Sequence, residues 1–360
     1  MKKILFLLFG FILFIRGVNA FNISSKAFVA MDMDSGRVIY SVDPYEVRLI
    51  ASTTKIMTAI LAIESGKITD LVEVGEEVLT MYGSNIYIEY KEHMLLLDLV
   101  YGLMLRSGND AAVVIASHVS GNEESFVKLM NNKAKEIGMS DTIFNNPTGL
   151  DDDSKNYSTA YDLSLLYSYA YKNNLFKDIS GTSEYKTSSN LKSYSWTNRN
   201  DFLTLYDKAT GGKTGYTPDA GRVLVTSSSN DDLDIVISSF NNIYDYAIHR
   251  EVAEDIFYNY KKILVLDKDN FSLKNNVFED PLYIENSFYY PLTNNEREKI
   301  EFKVKYFDIK NYKDKDVVGN VYVYLEDDVI NKTDILIKKR KVSVFNKFIS
   351  WIKLLFAKKA

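Results

Sequence analysis

Hydrophobic and polar positions alternate along this chain in two distinct periods, and the changes from one to the other mark out its elements. The chain opens with Lys2 and Lys3, an apolar run over residues 4–15, and Val18-Asn19-Ala20. This reads as an export signal peptide cleaved after Ala20. The run is about a dozen residues, short of the roughly 20 that a membrane-spanning helix needs. Residues 26–32 and 37–41 are apolar-rich stretches joined by Asp34-Ser35-Gly36, which predicts a β-hairpin. From Ser52 the period changes, with Ile56, Met57, Ile60 and Leu61 at helical spacing up to Gly66. Helices are expected over 98–105, 110–119, 123–137 and 159–171, and strands return at 212–216, 222–228 and 233–240 before a helix over 243–260. Strands at both ends around a helical insert predict an α+β fold: an antiparallel sheet covered by helices, with the insert as a lobe beside it.

Beyond about residue 262 the texture becomes alternating, as in 300–307 and 321–325, which predicts a small β-rich unit. After Lys338-Lys339-Arg340-Lys341, residues Phe345, Phe348, Ile349, Ile352, Leu355 and Phe356 share one helical face. The expected organisation is a leader over 1–20, a main unit over 21–262, a β-rich unit over 263–341 and an amphipathic helix over 342–360. That last helix is expected to dock on an anionic membrane surface through its apolar face and its lysines.

Composition narrows the picture further. Hydrophobic residues make up 46% and charged residues 25% of the 360, as in ordinary globular proteins. Export would permit disulfides, yet there is no cysteine, so stability must come from packed cores. A net charge of -5 with dispersed Lys and Arg gives no nucleic-acid-binding groove. No side-chain cluster implies a metal or another cofactor.

Three short motifs carry candidate chemistry. Ser52-Thr53-Thr54-Lys55 has the form Ser-x-x-Lys, whose spacing on a helix stacks an amine over a hydroxyl on one face. The form alone is weak evidence, because it recurs at Ser125, Ser183, Ser189 and Ser350. Ser107-Gly108-Asn109 falls between two expected helices, as a linking turn would, and Ser120-Gly121-Asn122 repeats the tripeptide. Lys213-Thr214-Gly215 occurs once, on an expected strand, after Gly211-Gly212 that would let a backbone or a ligand come close. Together, in this order and these contexts, they form the signature of penicillin-recognising enzymes. The histidines, His93, His118 and His249, lie in no hydrolase motif, and neither Gly-x-Ser-x-Gly nor His-Glu-x-x-His occurs. If Ser52 is a nucleophile, a lysine must be its base.

The longer stretches 51–59, 107–112, 146–150, 157–162 and 212–217 resemble the low-molecular-mass penicillin-binding proteins that are serine-type D-alanyl-D-alanine carboxypeptidases. The resemblance covers about residues 26–262 and is looser beyond. It implies removal of the terminal D-alanine from peptidoglycan stem peptides, outside the cytoplasmic membrane, and covalent binding of β-lactam antibiotics. On this reading Lys55 activates Ser52, with Lys213 as a second cation that keeps Lys55 neutral. Ser107 relays a proton to the leaving amine, and Asn109 holds the substrate amide. Lys213, Thr214 and Gly215 receive the terminal carboxylate with Arg250 as a further partner, and the backbone N–H groups of Ser52 and Tyr216 form an oxyanion hole. A β-lactamase of the same fold and a non-catalytic wall-binding protein are the alternatives. The Glu-x-x-x-Asn segment by which class A β-lactamases clear their acyl-enzyme does not occur between Asp110 and Gly212.

Overall fold

A computed structural model describes residues 23–339, apart from 153, 274–276 and 310. The expected leader and amphipathic tail lie outside the described residues. The sheet at the centre has five strands: β1 (Ala27–Asp32), β2 (Val38–Val42), β3 (Ala209–Thr217), β4 (Gly221–Asn230) and β5 (Leu233–Phe240). Their order is β2-β1-β5-β4-β3, with every neighbouring pair antiparallel. The first hairpin therefore pairs with a strand some 200 residues later in the sequence, and β3 is left as an edge.

All six residues of β1 are buried because both faces of the sheet are covered. Side chains alternate across a strand, so Ala27, Val29 and Met31 enter one core while Phe28 and Ala30 enter the other. The first core is completed by helices α1 (Lys55–Glu64), α2 (Leu96–Arg106), α3 (Asn109–Ser120), α4 (Glu123–Ile137), α5 (Ala160–Tyr171) and α6 (Asn174–Gly181). The second lies under α7 (Asp245–Asn259), through Val252, Ala253, Ile256 and Phe257. Each of the larger apolar side chains, Val, Ile, Met or Phe, contributes roughly 2 kcal/mol on burial. The helix expected from Ser52 is entered through a 3-10 turn, Ala51–Thr54, and only then becomes α-helical at Lys55.

Residues beyond 260 build their own core from Leu266, Ile284, Val318, Val321, Val323, Ile335 and Ile337. It lies against a four-stranded antiparallel sheet in the order Leu282–Tyr283, Asp328–Ile337, Val317–Leu325, Ile300–Tyr306. Arg37, beside the first hairpin's turn, bridges the two units. Its guanidinium lies over the Tyr260 and Tyr290 rings at 5.2 and 5.1 Å, pairs with Glu296 and donates to the Pro291 carbonyl.

Candidate active site

The site begins with a strained turn. Ala51 has φ +46°, a left-handed conformation that costs a non-glycine residue about 1–2 kcal/mol. The 3-10 turn that follows eclipses residues three apart, which brings the Lys55 amine to 3.1 Å from the Ser52 hydroxyl. Lys55 is fully buried, and its Nζ also meets Asn109 Oδ1 at 2.7 Å and the Thr148 carbonyl. A neutral amine has two N–H groups and one lone pair. The two carbonyl acceptors take the N–H groups, which leaves the lone pair for the Ser52 proton. Burial, then the neighbouring Lys213 charge, push Lys55 well below the ordinary lysine range, and Arg199 adds to this.

The second motif sits where α2 ends and α3 begins. Ser107 takes φ +63°, so the chain turns sharply between Arg106 and Asn109. Asp110 accepts the backbone N–H groups of Ile86, Tyr87 and Ile88 at 3.0, 2.7 and 3.2 Å. It thereby pins the preceding loop, and Ser84 of that loop reaches the cleft. Asn109 is tied into the protein beside Lys55. Both ends of its amide are taken inside the protein, Oδ1 by Lys55 and Nδ2 by the Tyr82 carbonyl at 2.7 Å. Only 3% of the residue is exposed.

The third motif lies on the edge strand β3. Lys213 is buried and donates to Ser107 Oγ at 3.1 Å and to the Thr214 carbonyl at 2.8 Å. Burial, with the Arg199 charge beside it, pushes its amine down to about 7. Gly212 has φ +148°, and a Cβ there would strike the Val225 carbonyl of the neighbouring strand, so the close backbone approach read from the glycines is real. Thr214, Gly215 and Tyr216 continue along the cleft, where a Cβ on Gly215 would stand 3.2 Å from the Ser52 nitrogen.

Ser52, Ser107, Thr214, Gly215 and Tyr216 all open onto one cleft of about 700 Å³. Its other walls carry Arg106, Arg199 and Arg222. Arg222 is held by Asp245 through two hydrogen bonds of 2.9 Å. Arg250 lies elsewhere. It follows the fully buried His249 on α7, and consecutive helical residues point about 100° apart. Arg250 is therefore exposed, in the field of Glu254 and Tyr206. No histidine lines the cleft: His249 is enclosed by Thr226 and Ser239, and His118 pairs with Asp70. Among the described residues no cluster has the makings of a metal site.

A lysine–serine pair, a second serine–lysine pair and an edge strand thus converge on one cleft, and the sequence comparisons agree with that arrangement. The profile of the D-alanyl-D-alanine carboxypeptidase family matches residues 16–242. The chain belongs to this family. Residues 263–343 match the C-terminal domain of penicillin-binding protein 5. The family member DacF of Bacillus subtilis is 38% identical over 215 residues, 58% of this chain and 55% of that protein. The D-alanyl-D-alanine carboxypeptidase of Streptomyces K15 is 31% identical over 218 residues, 56% of this chain and 75% of that protein. The chain thus spans about half the length of DacF and three quarters of the Streptomyces protein. The solved structure of penicillin-binding protein 5 from Haemophilus influenzae shares the fold, with a TM-score of 0.77 and 24% identity over 90% of this chain and 99% of that one.

Folding also brings in residues that were not singled out from the sequence. Thr148 contributes only its carbonyl, so its side-chain identity carries no signal, although residues 146–150 stood out as family-like text. Arg106 adjoins Ser107, and that adjacency was a usable signal. Arg199 and Arg222 come to the cleft only by long-range packing.

Proposed function

We propose that this protein is a serine D-alanyl-D-alanine carboxypeptidase acting on peptidoglycan stem peptides, with Ser52 as nucleophile. The observation that carries the reading is the buried Lys55 amine, 3.1 Å from Ser52 Oγ with its other contacts made to carbonyl acceptors. Lys55 takes the Ser52 proton as Oγ attacks the carbonyl carbon of the penultimate D-alanine. The developing oxyanion is received by the N–H groups of Ser52 and Tyr216, each donor worth roughly 3 kcal/mol. Ser107, bonded to Lys213, relays to the departing nitrogen the proton that Lys55 took, which returns Lys55 to its neutral form. The C–N bond breaks and D-alanine leaves. Water then attacks the ester, Lys55 takes its proton and gives it to Ser52 Oγ as the ester C–O bond breaks, and both groups are restored.

The terminal carboxylate is assigned to Lys213, Thr214 and Arg199. Arg199 takes the place expected of Arg250 because it lines the cleft, bonds Ser84 Oγ at 2.6 Å and has no acid partner among the described residues. Asn109 is assigned to orienting Lys55. β-Lactams acylate the same serine, and no glutamate lines the cleft to hasten release, which favours a peptidase over a lactamase. Residues 21–262 are read as the catalytic unit and 263–341 as an accessory β unit. The leader and tail expected from the sequence support a location on the outer face of the cytoplasmic membrane; no helix of the described residues is long and apolar enough to cross one.

The test is D-alanine release from a peptide ending in D-Ala-D-Ala, with Ser52→Ala and Lys55→Ala as controls. Release by the wild type alone is expected. Release undiminished in Ser52→Ala would overturn the assignment.

A further inference from the structure

The cleft holds more positive charge than a single carboxylate requires. Arg106 and Arg199 both line it, and the backbone stitches them side by side: the Arg199 N–H donates to the Leu105 carbonyl at 3.0 Å, and Arg106 Nη1 donates to the Thr197 carbonyl at 3.1 Å. Each guanidinium lies in the other's field, and neither has a carboxylate partner among the described residues. Of the two acids lining the cleft, Asp245 is committed to Arg222, and the charge of Asp201 also acts on Arg222. The proposed terminal carboxylate accounts for Lys213 and Arg199. Arg106 is left over, half-buried and unneutralised, one residue before Ser107.

We infer that Arg106, beside Arg199, receives a second carboxylate of the substrate, so that the enzyme prefers stem peptides with a free acid on the residue preceding D-Ala-D-Ala. The inference rests on the carboxypeptidase reading above. Two like charges held together by backbone bonds repel, and an incoming carboxylate relieves that repulsion while accepting charge-assisted hydrogen bonds. A peptide whose side-chain acid is amidated leaves Arg106 unanswered.

The probes are N-acetyl-α-aminopimelyl-D-Ala-D-Ala and its side-chain amide, hydrolysed by the full chain at low and at physiological salt. The wild type is expected to favour the acid in kcat/KM by about tenfold, with the preference shrinking as salt rises. Arg106→Gln is expected to bring the ratio close to one, and Arg106→Lys, which keeps a cation, to retain part of it. Equal rates on the two peptides by the wild type, or a ratio untouched in Arg106→Gln, would overturn the inference. Release from neither peptide would instead overturn the carboxypeptidase reading itself.

Discussion

Gly149→Ala tests how tightly the nucleophile's turn is held from behind. Gly149 has φ +82°, and a Cβ built on it would overlap the Ala51 carbonyl and reach within 2.9 Å of the Ser52 nitrogen. Real Cβ atoms essentially never come so close to backbone, so either the 50–52 turn or the 146–150 loop must move. The second route is obstructed, because the Asn146 side chain accepts from the N–H groups of Thr148 and Gly149, and the Thr148 carbonyl is itself a partner of Lys55. Whichever segment yields, Ser52 and Lys55 are displaced relative to one another. A misplacement of about 1 Å at reacting groups costs about 100-fold in rate. Gly66 supplies the control: its φ is +75°, yet nothing lies within 4 Å of its would-be Cβ. Both alanine variants bear about 1 kcal/mol of left-handed strain, worth roughly 2–4 °C in Tm for a domain of this size. Stopped-flow acylation by a fluorescent penicillin should therefore fall about 100-fold in Gly149→Ala and stay near wild type in Gly66→Ala. Equal acylation rates in the two variants would refute the idea that this contact fixes the nucleophile.

Two further predictions concern protons. Lys213 titrates in the free enzyme at about 7 and is assigned to binding a carboxylate as a cation, so kcat/KM for a D-Ala-D-Ala peptide should decline as pH rises through that value; a profile flat from about pH 6 to 9 would remove Lys213 from that role. His249 is buried between Thr226 and Ser239, and burial holds its folded-state pKa at about 3 against an ordinary 6.5. Below about 6.5 the unfolded chain binds a proton the folded chain refuses, so this group's contribution to stability falls with acidification by at most about 1.4 kcal/mol per pH unit. Buried Asp32, Asp110 and Asp162, whose pKa values burial raises, act in the opposite sense, so the measurement is the difference in unfolding free energy between wild type and His249→Gln. That difference should shrink from pH 7 to pH 5, and a constant difference would show that His249 does not resist protonation.

The parts of the site that were legible in the sequence are those whose geometry is local. Ser52 and Lys55 meet because three residues make one tight turn, and Ser107 projects because two helices break there. The strand of Lys213 could be read from its glycines and its alternation, and the central sheet from strands at both ends of the chain. The bond of Asn109 to Lys55 was not legible, since it spans 54 positions and depends on how α1 and α3 pack. Arg250 lies outside the lining of the cleft for a rotational reason: the register of α7 points His249 inward, which carries the next residue out. The hairpin of Glu184–Ser188 and Ser193–Thr197 was also missed. Its second strand alternates cleanly, with Tyr194 and Trp196 buried, but the first has Tyr185 as its one large apolar side chain among polar residues and leaves a weaker trace.

The two buried lysines bear on folding as well as on chemistry. In the unfolded chain both are charged at neutral pH, while the folded site holds Lys55 well below that range and Lys213 at about 7. Folding must therefore expel protons that the unfolded chain would keep, at a cost on the order of a few kcal/mol. The charge of Asp110, itself bonded to backbone N–H groups, works against the shift of Lys55, but burial and the Lys213 charge outweigh it. The two lysines thus carry a cost that the surrounding apolar packing, with no disulfide to assist it, has to offset. An anionic ligand that draws Lys213 back to its charged form would return part of the cost, so occupancy of the cleft should tighten the whole fold and not only the loops that touch the ligand.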